Sequence, residues 1–301
     1  MTVAVSGASG LVGTSLIPLL TAGGHTVRRL VRREPDRFTN EIGWDPATGR
    51  LDSADLEGVD AVIHLGGESI ASGRWTASKR QRIRDSRVES TRLLAETLAR
   101  MPNPPKVFLC ASATGYYGDR GDELLTEKAA PGQSFLAGVC QEWEQAADSA
   151  RKEGVRVVHL RFGVILSPKG GALQQMLPLF RLGLGGRLGK GKQYWSWIGI
   201  DDAIGAVYHA LAHETLVGPI NVTAPEPVTN RRFTAVLAKV LRRPALLPAP
   251  SAALRVALGN MADELLLASA RVLPEQLLTS GYEFRDKDLE SVLRNLLGRH
   301  E

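Results

Sequence analysis

The chain has 301 residues, 44% of them hydrophobic and 23% charged, an ordinary balance for a globular protein with one large domain or two unequal ones. No stretch approaches the ~18 uninterrupted apolar residues of a membrane span, and the apolar run Val3–Val5 ends in glycines instead of a signal-peptide core, so a cytoplasmic protein without membrane partners is expected. A net charge of +5 does not point to nucleic acid, because basic runs such as Lys79 to Arg84 are followed by acids, as on a solvated helix face.

Val3-Ala4-Val5 reads as a strand, and Leu11 to Leu20 as a helix. Between them stand Gly7, Gly10 and Gly13, spaced G-x-x-G-x-x-G. Strand, glycine turn and helix N-terminus in that order make an anion site, since unpaired backbone N–H groups and the helix dipole both favour a phosphate. Gly7 permits the tight turn, Gly10 lets backbone approach a pyrophosphate, and Gly13 lets the helix pack close to the strand.

Thr26 to Arg32 predicts a second strand, and Ala61 to Leu65 a third, ending at Gly66-Gly67. Thr76 to Arg100 predicts a long helix with Ile83, Val88, Leu93, Leu94 and Leu98 inward. A strand at Lys106–Ala111, a helix at Leu136–Glu153 and a strand at Val155–Phe162 continue the alternation. Cys110 and Cys140 fall in these apolar stretches and read as reduced structural thiols. Beyond them come a glycine cluster at 183–191, a helix at Asp201–His213, a strand at 219–222, and a mainly helical remainder broken by prolines. The pattern predicts an α/β Rossmann fold: a doubly wound parallel sheet with right-handed crossovers and a smaller, mainly helical C-terminal substrate lobe. Residues 1–165, joined by 198–225, are expected to form the nucleotide domain, and 166–197 with 226–301 the lobe.

In such a fold the end of the second strand meets the adenosine ribose. An acid there selects a 2′-hydroxyl, whereas arginine favours a 2′-phosphate. Arg32-Arg33 therefore predicts NADP, with Glu34 as the ribose contact if the strand ends later.

The segments G-A-S-G-L-V-G, D-A-V-I-H-L-G-G-E, R-D-S-R-V-E-S-T-R-L-L, A-S-A-T-G-Y-Y-G, W-I-G-I-D-D and G-P-I-N-V-T-A-P resemble the extended short-chain dehydrogenases/reductases. More narrowly they resemble the "epimerase family" branch that includes the human short-chain dehydrogenase family 39U member and its bacterial relatives. The resemblance implies NADP(H) at Gly7, Ser9, Gly10, Leu11, Val12 and Gly13, with Arg32 and Arg33 at the 2′-phosphate. It implies Leu65, Gly66 and Gly67 on the adenine side, Glu68 beside them, and Arg87 and Ile165 as further cofactor contacts.

Extended reductases use a serine, a tyrosine and a lysine one helical turn beyond it. Ser112 matches the serine, but the Tyr-x-x-x-Lys pair is absent. Aligning the expected helix on Glu144 puts Leu136 and Cys140 at those places, a shift by one puts Phe135 and Val139 there, and Lys128 lies before the helix. Tyr116 and Tyr117, just after Ser112, are the alternative proton donors. Glu127 is expected to be solvated, Cys140 inert and His64 a core histidine. No metal is expected. Tyr194, Trp195 and Trp197 with Arg181, Arg187, Arg231 and Arg232 are candidate substrate contacts. The pattern leaves three readings: an NADP(H) oxidoreductase on a small carbonyl or alcohol, a non-catalytic NADPH-binding sensor or scaffold, and a sugar-nucleotide epimerase. A monomer or homodimer fits each of them.

Overall fold

Strands buried on both faces alternate with longer helices and pair into one parallel sheet. In the computed structural model, which describes residues 1–36 and 38–299, its strands are β1 (Thr2–Ser6), β2 (Thr26–Val31), β3 (Glu41–Gly43), β4 (Ala61–His64), β5 (Val107–Ala113), β6 (Arg156–Phe162) and β7 (Gly218–Val222). Their order across the sheet is β7-β6-β5-β4-β1-β2-β3, with every neighbouring pair parallel. The strand order reverses at β1 and β4, which opens a crevice at the C-terminal ends of those strands. This is the doubly wound Rossmann architecture.

The helices are α1 (Leu11–Ala22), α2 (Ala77–Arg100), α3 (Phe135–Gln145), α4 (Asp148–Lys152), α5 (Gly171–Arg181), α6 (Ile200–Ala212), α7 (Asn230–Leu241), α8 (Ser251–Leu258), α9 (Glu275–Thr279) and α10 (Leu289–Leu297). Strand alternation divides the core into two layers. Val3 and Val5 face Leu16 and Leu20 of α1 and Ala206 of α6, while Ala4, Val62 and Phe108 face Leu94 and Leu98 of α2 and Trp143 of α3. A third core belongs to the C-terminal half, where Leu173, Phe180, Trp197, Phe233 and Leu293 pack together. Among the described residues no helix is long and apolar enough to cross a membrane.

Local structure departs from the sequence reading in three places. β3 is a three-residue edge strand with only Ile42 buried, too short to show a period. The helix expected over Leu136–Glu153 divides, because the backbone tightens at Ala146 (ψ −17°) and Ala147 (ψ −1°), where no glycine or proline signals a break. α5 forms ahead of the glycine cluster, where the sequence reading places no element, because Leu173, Leu177 and Phe180 make one buried stripe.

His64 ties the layers together at the end of β4. It is fully buried; Ser6 Oγ meets its Nδ1 and Ser90 Oγ lies 2.9 Å from its Nε2. Because the Ser90 hydroxyl donates to the Ser86 carbonyl at 2.7 Å, the network assigns the ring proton to Nε2. Burial, with the Arg87 cation adding to it, pushes the imidazole pKa down to about 3. The folded state therefore excludes a proton that the unfolded chain takes up below its ordinary value of ~6.5. This contribution is complete above that value and falls by about 1.4 kcal/mol per pH unit as pH drops toward the folded value. Urea melts of the wild type and His64→Gln from pH 7.5 to 5 should show a steeper loss in the wild type; parallel losses would refute the assignment.

Gly13 gives a second test. A Cβ there would lie 2.4 Å from the Gly7 carbonyl oxygen and 2.8 Å from Ala8 Cα, both backbone atoms. Gly13→Ala should cost about 1–3 kcal/mol, as overpacking does, and lower the melting temperature by several degrees. An unchanged melting temperature would show that α1 can move away from the turn.

Candidate functional site

The crevice at the strand reversal is a cleft of about 1140 Å³. Its floor begins at Gly7, whose φ of +69° disfavours an L side chain. A Cβ on Gly7 would also stand 2.7 Å from the Leu65 carbonyl carbon, so the loops after β1 and β4 touch here. Gly10 caps α1 without a side-chain hydrogen bond, and the first turn of α1 contains no acid. The helix N-terminus thus presents its N–H groups to the cleft with nothing of its own to neutralise them.

Gly7, Ser9, Gly10, Arg32, Arg33, Leu65, Gly66, Gly67 and Glu68 all line this cleft. Leu11, Val12 and Gly13 form the first turn of α1. The Leu11 side chain lies 3.0 Å from where a Cβ on Gly170 would be, and Gly171 backs onto both Leu11 and the Ile165 carbonyl; Leu11, Val12, Gly13, Arg87 and Ile165 are not among the residues that line the cleft. Leu11 and Ile165 are thereby brought together around the glycine pair that opens α5.

The two arginines differ. Arg33 is paired with Glu41 at 2.6 Å and donates to the Glu34 carbonyl at 2.9 Å. Arg32 is exposed and has no side-chain partner among the described residues. The loop after β4 is fixed from behind by α2. The Glu68 N–H donates to Ser86 Oγ at 3.0 Å, and buried Lys79 holds the Glu68 carboxylate at 2.7 Å. That Lys79 hydrogen bond keeps the Glu68 carboxyl below its ordinary value. Arg87 donates to the Glu68 carbonyl at 3.0 Å and lies over the Trp143 ring. A Cβ on Gly67 would meet its guanidinium carbon at 3.2 Å, so Arg87 supports the underside of the loop.

At the ends of β5 and β6 a second, buried polar group assembles. Arg161 meets Glu144 through two hydrogen bonds of 2.8 Å, and both side chains are nearly out of solvent. Ser112 donates to Glu144 Oε1 at 2.7 Å. Tyr117 donates to Asn221 Oδ1 at 2.7 Å and accepts from Arg161 at 3.0 Å; its side chain has no exposed surface. Burial pushes its pKa up to about 12 against the opposing pull of Arg161. Tyr116, half-buried, lies with its ring 3.5 Å from the Arg161 guanidinium carbon.

Glu127 is not solvated, contrary to expectation. It is buried, and its Oε1 accepts from the backbone N–H groups of Asn221 (2.9 Å) and Gln276 (3.2 Å), so it joins β7 to the start of α9. Burial raises its pKa. Leu136 and Cys140 both face Gly115, where an added Cβ would meet Leu136 Cβ at 3.5 Å and Cys140 Sγ at 4.0 Å. Leu136 and Cys140 therefore pack on the turn that follows β5. Burial holds both Cys110 and Cys140 up at about 12, as thiols. Trp195 and Trp197 are core residues, with Trp195 packed on Phe233. Tyr194 is half-buried, with the Arg271 guanidinium 4.9 Å from its ring centroid. Arg181, Arg187, Arg231 and Arg232 are exposed, and Arg187 and Arg231 flank Gly191.

Arg161, Glu144, Asn221, Lys79 and Trp44 were not singled out by motif. The first carried a signal nonetheless: an arginine near the end of an apolar parallel strand must be paired where it is buried. Trp44 lines the cleft beyond β3, and nothing short of the fold places it there.

Residues 3–223 match the model of the NAD dependent epimerase/dehydratase family, and residues 249–296 match a domain of unknown function (DUF1731). Over 291 residues the chain is 43% identical to the Epimerase family protein Mb2239 of Mycobacterium bovis, covering 97% of this chain and 96% of that one. The crystal structure of the human epimerase family protein SDR39U1 (isoform 2) with NADPH superimposes with a TM-score of 0.89 at 33% identity, covering 100% of both chains. A Corynebacterium glutamicum structure described as a nucleoside-diphosphate sugar epimerase gives 0.80 at 39% identity over 99% of this chain and 58% of that one. With its glycine turn, its strand order and these relatives at full length, the chain belongs to the NAD dependent epimerase/dehydratase family, among the SDR39U1-like epimerase family proteins.

Proposed function

We propose that the protein is an NADP(H)-dependent oxidoreductase acting on a small carbonyl or alcohol compound. The observation that carries this reading is the pairing, across one cleft, of the unneutralised α1 N-terminus with the unpartnered Arg32. The human relative crystallised with NADPH supports it. The residues fit the cofactor: the Gly7–Gly13 turn suits a pyrophosphate and the end of β2 suits a 2′-phosphate. When bound, NADPH supplies a hydride equivalent.

The chain's own groups then hold the substrate and move the proton. Ser112 commits its hydroxyl proton to Glu144, so toward a substrate it offers only lone pairs. Tyr117 serves as a strut whose phenol is closed off by Asn221 and Arg161. The proton role expected of Tyr117 therefore passes to Tyr116, whose ring Arg161 holds in place.

A second reading, an NADPH-binding protein without turnover, is favoured by Leu136 and Cys140 on the helix face where extended reductases carry tyrosine and lysine. Purified protein assayed with NADPH against a broad panel of aldehydes and ketones separates the two. Turnover lowered 10²- to 10⁴-fold by Tyr116→Phe, and little changed by Tyr117→Phe, is expected of the enzyme. Tyr117→Phe should instead lower stability by about 1–3 kcal/mol, because it leaves buried polar partners unmatched. No turnover across the panel would leave the binding reading standing.

Cofactor choice tests the cleft directly. Arg32 faces no competing carboxylate, so Arg32→Ala should erase about a tenfold or greater preference for NADPH over NADH while leaving NADH affinity nearly unchanged. Arg33→Ala should cost less, because Glu41 already neutralises that guanidinium. Calorimetric titration of both cofactors decides it, and equal affinities in the wild type would turn attention to Glu34.

A further inference from the structure

The charge of this chain is unevenly placed. Residues 163–200 and 227–262 contain eleven of its 37 lysines and arginines and none of its 32 acids, so the remainder is net acidic. The interleaving of bases with acids seen in α2 does not extend to these segments.

The two segments lie side by side. Leu184 bridges Ala245, and Leu188 bridges Ala249. The Ala249 N–H donates to the Arg187 carbonyl at 2.9 Å, and a Cβ on Gly186 would strike the Leu247 carbonyl. From this paired edge large apolar side chains project into solvent: Leu182 is 73% exposed, Leu246 82%, and Leu184 and Leu247 half or more. Arg181, Arg242 and Arg243 stand in sequence beside them, exposed and without a carboxylate partner among the described residues. α8, the next element, has no buried residue and exposes Val256.

We propose that this edge is a docking surface for an anionic lipid bilayer. Exposed leucines gain by entering hydrocarbon, and unpaired arginines gain from phosphate; a charged headgroup layer over acyl chains offers both without demanding a matching shape. A second copy of the chain fits poorly, because a two-fold contact would set each arginine cluster against its own image. The attachment is peripheral and reversible.

Co-sedimentation of the full chain with vesicles tests this. Vesicles of phosphatidylcholine with about one-third phosphatidylglycerol, at ~0.1 M salt, should bind the protein about tenfold or more better than phosphatidylcholine alone, and higher salt should release it. Leu246→Glu with Leu247→Glu should lower the bound fraction about tenfold, and Arg181→Glu with Arg243→Glu should do the same. Both double variants change exposed side chains, and melting temperatures check that they fold. Failure of the wild type to bind mixed vesicles, or leucine and arginine variants that bind as it does, would overturn the proposal. So would a wild-type dimer in sedimentation velocity that Leu246→Glu with Leu247→Glu abolishes, since the patch would then belong to a second copy.

Discussion

A guanidinium and a carboxylate sharing one buried spot constrain everything at the C-terminal end of the sheet. Arg161, on β6, and Glu144, on α3, each would cost several kcal/mol to bury alone, and the pair recovers that only if every remaining donor and acceptor finds a partner. The surroundings supply them. Ser112 from β5 and Tyr117 from the following turn complete the hydrogen bonding, while Tyr116 covers the guanidinium face. Asn221 on β7 receives the Tyr117 proton, and its amide donates to the Leu273 carbonyl in the C-terminal half. One ion pair thus joins three strands, a helix and the chain's last third, and it helps close the Tyr117 hydroxyl from other partners.

The cleft at the strand reversal is built differently. Its floor is the glycine turn and the bare N-terminus of α1, and Arg29 and Arg32 line it without a side-chain partner among the described residues. Where side chains are paired there, they lie behind the loops: Lys79, Ser86 and Arg87 fix Glu68 and Gly67 from α2, and neutral His64 joins β1, β4 and α2 below. Rigid support beneath an unsatisfied surface is the condition for binding a large anion without paying to reorganise at the moment of contact.

The apolar face of α3 fits this division. Leu136 and Cys140 pack on Gly115, and this face of α3 turns polar one turn further on, at Glu144. That carboxylate then requires Arg161. A lysine in place of Cys140 would put a new cation near an arrangement already balanced.

The sequence by itself determined the alternation of strand and helix, the glycine turn, the order of the main elements and the family, because these depend on local periodicity and on backbone demands that only glycine meets. Gly7 and Gly13 are necessary wherever such a turn meets such a helix. The short strand β3, the break at Ala146–Ala147 and the course of α5 were less legible, since each is decided by what packs against it. Only the tertiary structure separated Arg32 from Arg33, because Glu41 lies eight residues beyond Arg33 on another strand. Only the tertiary structure buried Glu127 and closed Tyr117, because their partners, Asn221 and Arg161, come from distant strands. Adjacent tyrosines look alike in a sequence. What distinguishes them is the dielectric and the hydrogen-bond partners each one meets, and those exist only once the chain has folded.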